Sequence, residues 1–116
     1  MSSTIRFASV SLDSPDARAL AAFYARLLGV EVAFASDDFS ALRVGPTWLS
    51  MHRVEGYEPP TWPDAGVPQQ VHLDFAVDDL DTTEAAAIAA GARRADVQPS
   101  PERWRVMLDP AGTRSA

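Results

Sequence analysis

One arrangement of residues occurs twice along this chain. Ser9-Val10-Ser11-Leu12 leads through Pro15-Asp16 into the segment 17–28 and stops at Gly29. His72-Leu73-Asp74-Phe75 leads through Asp78-Asp79 into 80–90 and stops at Gly91. Each copy reads as a period-two strand, an Asp N-cap, a helix, and a Gly that turns the chain out of it. An Asp at the N-cap accepts the free N–H groups of the first turn, and Gly takes a positive φ without a Cβ clash. In the first helix Leu20, Phe23, Tyr24, Leu27 and Leu28 fall on one apolar stripe. The second is Ala-rich, with Leu80, Ala87, Ile88 and Gly91 available for close packing, and its signal is propensity more than stripe.

Short β-type runs follow each helix. In the first half they are 30–35, 39–44 and 48–54, broken by Ser36-Asp37-Asp38 and Gly45-Pro46-Thr47. In the second half they are 93–97 and 103–108, broken by Pro99-Ser100-Pro101. A third run is due after Asp109-Pro110-Ala111-Gly112, where the sequence stops at Ala116. The expectation is an α+β fold of two βαβββ modules, forming a cupped mixed sheet with helices outside and the final strand truncated. Module one is 1–56 and module two 71–116, together one domain. The linker 57–70 carries Pro59, Pro60, Pro63 and Pro68 and is expected over the cup or its rim.

Strand parity then sorts the side chains. Trp48, Ser50 and His52 share one face, with Leu49 and Met51 on the other, towards the helix. On the fifth strand His72, Asp74 and Ala76 oppose Val71, Leu73, Phe75 and Val77, which are expected in the core. With Tyr57 and Trp62 reaching in from the linker, the cup mixes aromatic walls with a few polar groups, the composition of a small-molecule pocket. Its candidate ligand-binding residues are Ser9, Ser11, Trp48, Ser50, His52, Tyr57, Trp62, His72 and Asp74. His52 and His72 are also candidate general bases, although no nucleophile–base pair is fixed by sequence alone.

Three motifs, in order, resemble one known family over nearly the whole chain. Pro15-Asp16…Phe23-Tyr24…Leu28-Gly29-Val30 resembles the helix that opens vicinal-oxygen-chelate domains, the superfamily of glyoxalases, bleomycin-resistance proteins and dioxygenases. Val71-His72-Leu73-Asp74-Phe75-Ala76-Val77-Asp78-Asp79 resembles their second-module strand. Asp109-Pro110-Ala111-Gly112 resembles their turn before the last strand. The glyoxalase-like subgroup is the nearest match. The resemblance implies the fold, whereas the same fold hosts lyases, dioxygenases, epimerases, thiol transferases and plain drug-binding proteins.

The resemblance also implies where a metal would sit. Metal-dependent members hold a divalent ion with one side chain from the first and one from the fourth strand of each module. Those places fall here on Ser9, His52, His72 and either Ser115 or Ala116. Only His52 and His72 are plausible metal ligands, with Asp74 near enough along its strand to help, so the site is incomplete. The leading expectation is a protein that binds a small organic molecule. The alternative is a metal-dependent lyase, isomerase or dioxygenase acting on vicinal oxygens, with a divalent cation as cofactor.

The family's last strand often begins His-Pro-Phe-Cys after the Gly. One deleted base turns such a coding string into Gly-Thr-Arg-Ser-Ala, the ending seen here, so a frameshift is one origin for the short strand. An uncovered neighbouring strand edge then predicts a homodimer.

Charge and composition exclude other classes. The formal net charge is −6, which leaves no cationic surplus for neutralising phosphates, so no nucleic-acid partner is expected. All ten basic residues are Arg, suggesting a GC-rich bacterial gene. With no Cys there is neither a disulfide framework nor a thiolate metal site. No apolar run is long enough to span a membrane, and residues 1–4 carry no leader signal, so a cytoplasmic location is expected.

Overall fold

The computed structural model describes residues 5–64, 66–69 and 71–116. Residues 1–4, which bear on the reading of no leader, and Ala65 and Gln70 of the expected linker lie outside that range. The chain divides into two compact units, Met1–Glu55 and Gly56–Ala116. Among the described residues, no helix is long and apolar enough to cross a membrane.

Unit one runs β1 (Ser9–Ser14), α1 (Ala17–Leu28), β2 (Val32–Ala35), β3 (Phe39–Val44) and β4 (Thr47–Arg53). The sheet order is β1-β4-β3-β2, with β1 parallel to β4 and the other pairs antiparallel. Asp16 caps α1 as its spacing predicts, Oδ1 accepting from the Ala19 amide at 3.0 Å, and Gly29 ends it at φ 67°. The helix lays Leu20, Ala21, Phe23 and Tyr24 on one sheet face, and the sheet answers with Leu12, Leu42, Leu49 and Met51. Each large apolar side chain removed from water there contributes roughly 1.5–3 kcal/mol. Phe23 and Tyr24 meet edge to face, with ring centroids 4.8 Å apart. Ser14 is buried at this layer's margin without penalty, since its hydroxyl donates to the Asp16 carbonyl and accepts from the Asp16 amide.

Unit two repeats that topology in shorter form. It contains α2 (Leu80–Ala90), β5 (Arg93–Arg94), β6 (Met107–Leu108) and β7 (Arg114–Ser115), in sheet order β5-β6-β7. Leu73 bridges to Ser115 in parallel. The Phe75 amide donates to the Ala116 carbonyl at 2.8 Å, and the Ala116 amide donates to Leu73 at 3.0 Å. Segment 71–77 therefore takes the place of β1, and β7 that of β4, giving a mixed α+β chain built from two related units.

Several expectations need correction here. The runs 93–97 and 103–108 shrink to two residues each, because Gln98 occupies the gap between them. Its side-chain amide donates to the carbonyls of Ala95 and Val106 and accepts from the Val106 amide, doing what a strand neighbour would do. The chain turns at 100–103, where the Arg103 and Trp104 amides both donate to the Ser100 carbonyl. The edge of β6 is not left open at Met107 and Leu108, since β7 pairs with both. Val71 and Val77 are not core: they are 57% and 38% exposed, because the ladder covers only the middle of their segment. The expected linker residues fold with unit two, as Tyr57, Pro59 and Gln69 show by their contacts with Ala111, Gly112 and Arg114.

Helix α2 is held differently from α1. Ile88, expected to pack closely, is 49% exposed, and within the helix only Ala87 is fully buried. Ion pairs secure it instead: Arg105 reaches Asp81 at 2.8 Å and Glu84 at 3.4 Å, and Arg94 reaches Glu84 at 3.3 Å. Its N-cap Asp79 accepts from the Thr82 amide at 2.9 Å, which chiefly holds that carboxyl below its ordinary value of 3.8. A depressed folded-state pKa makes the contribution present above the unfolded value, and it is lost as pH falls through the folded one. Acid unfolding of wild type should accordingly include a loss of helix below about pH 4 that is reduced in Asp79→Ala. Circular dichroism from pH 6 to pH 2 checks this, and superimposable acid limbs for the two proteins would contradict it.

Candidate functional site

Within unit one, α1 covers one face of the sheet and no helix of that unit covers the other. Register alone decides which residues meet there. Ser9, Ser11 and Asp13 of β1 lie beside Trp48, Ser50 and His52 of β4. On the other side of β4, Arg43, Ala41 and Phe39 of β3 stand beside the same three residues. Directly opposed residues share a face, so these nine form one surface, with Phe34 of β2 joining beside Ala41.

The surface has two ends and a floor. At one end the Phe39 and His52 rings meet edge to face at 4.9 Å, and Phe34 lies 5.9 Å from Phe39. Asp13 is the register neighbour of His52 at that end. At the other end the Arg43 guanidinium sits over the Trp48 ring, 5.1 Å from its centroid, and its Nε–H donates to the Gly45 carbonyl at 3.0 Å. Between them lie the small residues Ala41 and Ser50, both buried, with the Ser9 and Ser50 hydroxyls 3.1 Å apart. Small side chains between large flat ones leave a shallow floor against which a planar group can lie.

The remaining candidates belong to unit two. His72 Nε2 lies 3.2 Å from Asp74 Oδ1, both side chains well exposed. Arg114 follows the same row by alternation from the Leu73–Ser115 bridge, and its guanidinium lies over Trp62 at 5.1 Å. The Tyr57 hydroxyl donates to the Ala111 carbonyl at 3.0 Å. Tyr57 and Trp62 thus have partners within unit two, at the 109–112 turn and β7.

Sequence reasoning missed Arg43, Phe39, Phe34 and Asp13. A signal for two of them, Arg43 and Phe39, was present. Gly45-Pro46 makes a two-residue hairpin loop with Val44 opposite Thr47, and that register sets Arg43, Ala41 and Phe39 across from Trp48, Ser50 and His52. Treating Thr47 as part of the break hid it.

The donor set can be tested against a resident divalent ion. The Ser9 hydroxyl is neutral and already bonded to Ser50 and to the Val10 carbonyl. His52 is edge-on to Phe39, and His72 has Asp74 at its Nε2. Among the described residues, no three of His, Cys, Asp and Glu group to hold a metal. The family's last ligand place is not Ser115 or Ala116. Ser115 answers to Leu49 and shares a row with Met107 and Arg94, which faces α2 through Glu84; Ala116 answers to Ser50, and the counterpart of His52 falls beyond it. The residues present do not fit such an ion.

Residues 9–115 match the glyoxalase-like domain family. The protein CFP32 of Mycobacterium bovis, provisionally described as a glyoxylase, is 38% identical over 109 residues, covering 86% of this chain and 38% of that protein. The same holds for its counterpart in Mycobacterium tuberculosis, so this chain spans well under half the length of the curated relatives it matches. Among solved structures, a glyoxalase-related enzyme from Fulvimarina pelagi superposes with TM-score 0.70 at 18% identity, covering 95% of this chain and 84% of that one. A glyoxalase/bleomycin resistance protein/dioxygenase family enzyme from Burkholderia phytofirmans gives 0.68 at 20%, covering 93% of each. A lactoylglutathione lyase from Agrobacterium tumefaciens gives 0.62 at 20%, covering 95% and 90%. At such identities these likenesses show the fold alone.

Proposed function

The chain belongs to the glyoxalase-like domain family, and from that premise we propose that it binds a small organic molecule on the helix-free face of unit one. The observation that carries this reading is the make-up of that face. Its charged residues stand at the two ends, Arg43 at one and Asp13 at the other, and four aromatic rings flank a floor of Ala41 and Ser50, with hydroxyls from Ser9 and Ser11. Such a surface offers apolar contact area and a few orienting hydrogen bonds, which is how small-molecule sites are built. His72 and Asp74 form a second polar pair on unit two, available to a ligand in the same sense.

A thermal-shift screen of small organic compounds tests this. A binder present at about 100 times its Kd adds roughly 2.7 kcal/mol to stability, a readily measured rise in Tm. Trp48→Ala and His52→Ala should each weaken the best binder about tenfold or more by calorimetry, because they remove ring contacts from opposite ends of one surface. His52→Ala, at an exposed position, should keep a near-native unfolding midpoint, whereas Trp48→Ala should lower it, so affinities are compared well below both midpoints. Undiminished affinity in both would sink the reading. Tight one-to-one heats with Ni²⁺, Mn²⁺, Zn²⁺ or Fe²⁺, abolished by His52→Ala and by His72→Ala, would instead favour a metal-dependent enzyme.

A further inference from the structure

The arginines of this chain fall into two kinds. Arg18, Arg53, Arg94 and Arg105 are each held by a carboxylate. Arg43, on the helix-free face of unit one, is not: among the described residues no carboxylate comes within ion-pair distance of it. It is fixed instead by two neutral contacts, the Trp48 ring beneath it and the Gly45 carbonyl at its Nε–H. Those contacts orient the guanidinium plane while using only one of its five N–H donors, so the fork that recognises oxyanions is positioned in advance. In a chain of net charge −6 the long-range field repels anions. Arg6, outside the strands, and Arg93, Arg103 and Arg114 of unit two likewise have no carboxylate within ion-pair distance among the described residues, and Arg43 is the one such cation in the β3–β4 row of this face.

The rest of the surface gives that charge a direction. Asp13 stands at the far end beside His52 and disfavours an anionic group there. From Trp48 to His52 is four residues of β4, on the order of 13 Å at strand rise. The floor between them is Ala41 and Ser50, and the far wall is the Phe39 and His52 rings.

We infer that the ligand of this face is an aromatic carboxylate, its carboxylate received by Arg43 at the Trp48 end and its ring lying towards Phe39 and His52. The inference rests on the binding face proposed above and deepens it to a chemical class. A charge-assisted bond to a pre-oriented guanidinium is about twice as strong as a neutral one, and a bidentate pair adds geometric selection.

The probes are benzoate, phenylacetate and 1-naphthoate, each with its primary amide as a neutral partner of the same shape. Calorimetry on the full chain should show each carboxylate binding at least roughly tenfold more tightly than its amide, a preference that weakens as salt is raised. In Arg43→Gln the two members of each pair should bind alike. Arg43→Lys, which keeps the charge but loses the planar fork, should give an intermediate preference. Arg43 is an exposed side chain on a strand surface, and unchanged unfolding midpoints verify that both variants are folded. Equal binding of acid and amide by wild type overturns the inference while leaving the binding face intact. A preference that persists in Arg43→Gln overturns it by placing the anion elsewhere. No binding by any of the six compounds at millimolar concentration overturns the inference, while the face itself stands or falls with the thermal-shift screen.

Discussion

Leu42→Ala is expected to lower the stability of unit one by roughly 2–5 kcal/mol. Leu42 lies on β3, an interior strand bonded to β2 on one side and β4 on the other, and its side chain is fully buried. Its register neighbour Leu49 faces α1 with it, and α1 supplies Leu20, Phe23 and Tyr24 to the same layer. Truncation removes apolar area and leaves a cavity that two fixed strands and one capped helix cannot close. For a unit of this size the loss corresponds to a fall in Tm on the order of 10 °C or more. Its chain neighbour Arg43 points to the other face, so Arg43→Gln should change stability by less than about 0.5 kcal/mol. Urea unfolding followed by far-UV circular dichroism compares the two; equal midpoints would mean that α1 does not cover the Leu42 face.

The second large effect is expected at Asp109. Its carboxylate is buried, and Oδ1 accepts from the Ala111 amide at 2.9 Å and the Thr113 amide at 3.0 Å. The same turn is closed by the Gly112 amide on the Asp109 carbonyl and by the Asp109 amide on the Thr113 carbonyl. Asp109→Ala strands two inward-facing N–H groups, each costing about 1–3 kcal/mol, and should lower the stability of unit two by about 2–6 kcal/mol. Asp109→Asn keeps an acceptor oxygen and should cost much less. The damage should spread to β7, which leaves this turn and pairs with Leu73 and Met107. Hydrogen exchange at the Phe75 and Ala116 amides is the sensitive readout. Native protection at both amides in Asp109→Ala would show that the turn does not hold β7. Gly112 adds a second constraint, since its φ is 83° and an added Cβ would meet the Pro59 Cβ at 3.0 Å.

What could be read from the sequence was what local chemistry encodes. Asp16 and Asp79 at the N-caps, Gly29 and Gly91 at the ends, and the α1 stripe each act within a turn or two of their own position, and α1 and α2 form over the expected residues. The parity of β4 is equally local, and register places Trp48, Ser50 and His52 in one row. What was hidden depends on partners distant in the chain. Two glutamine side chains stand in for strands: Gln98 between Ala95 and Val106, and Gln69, which donates to the Val71 and Arg114 carbonyls and accepts from the Arg114 amide. Nothing in the periodicity of 93–97 or 103–108 announces that an amide side chain will replace their ladder. Helix α2, with little apolar stripe, relies on Arg94 and Arg105, whose pairing with Asp81 and Glu84 is a tertiary fact. Arg43 reads as an exposed strand cation until the hairpin register sets it over Trp48.

The proposed binding of a ligand on the unit-one face opposite α1 is tested residue by residue by amide chemical-shift mapping with the tightest compound from the thermal-shift screen. Saturable shifts are expected at Ser9, Ser11, Arg43, Trp48, Ser50 and His52, with α1 from Ala17 to Leu28 nearly silent. Saturable shifts centred on α1 or α2, with those six amides unmoved, would contradict it.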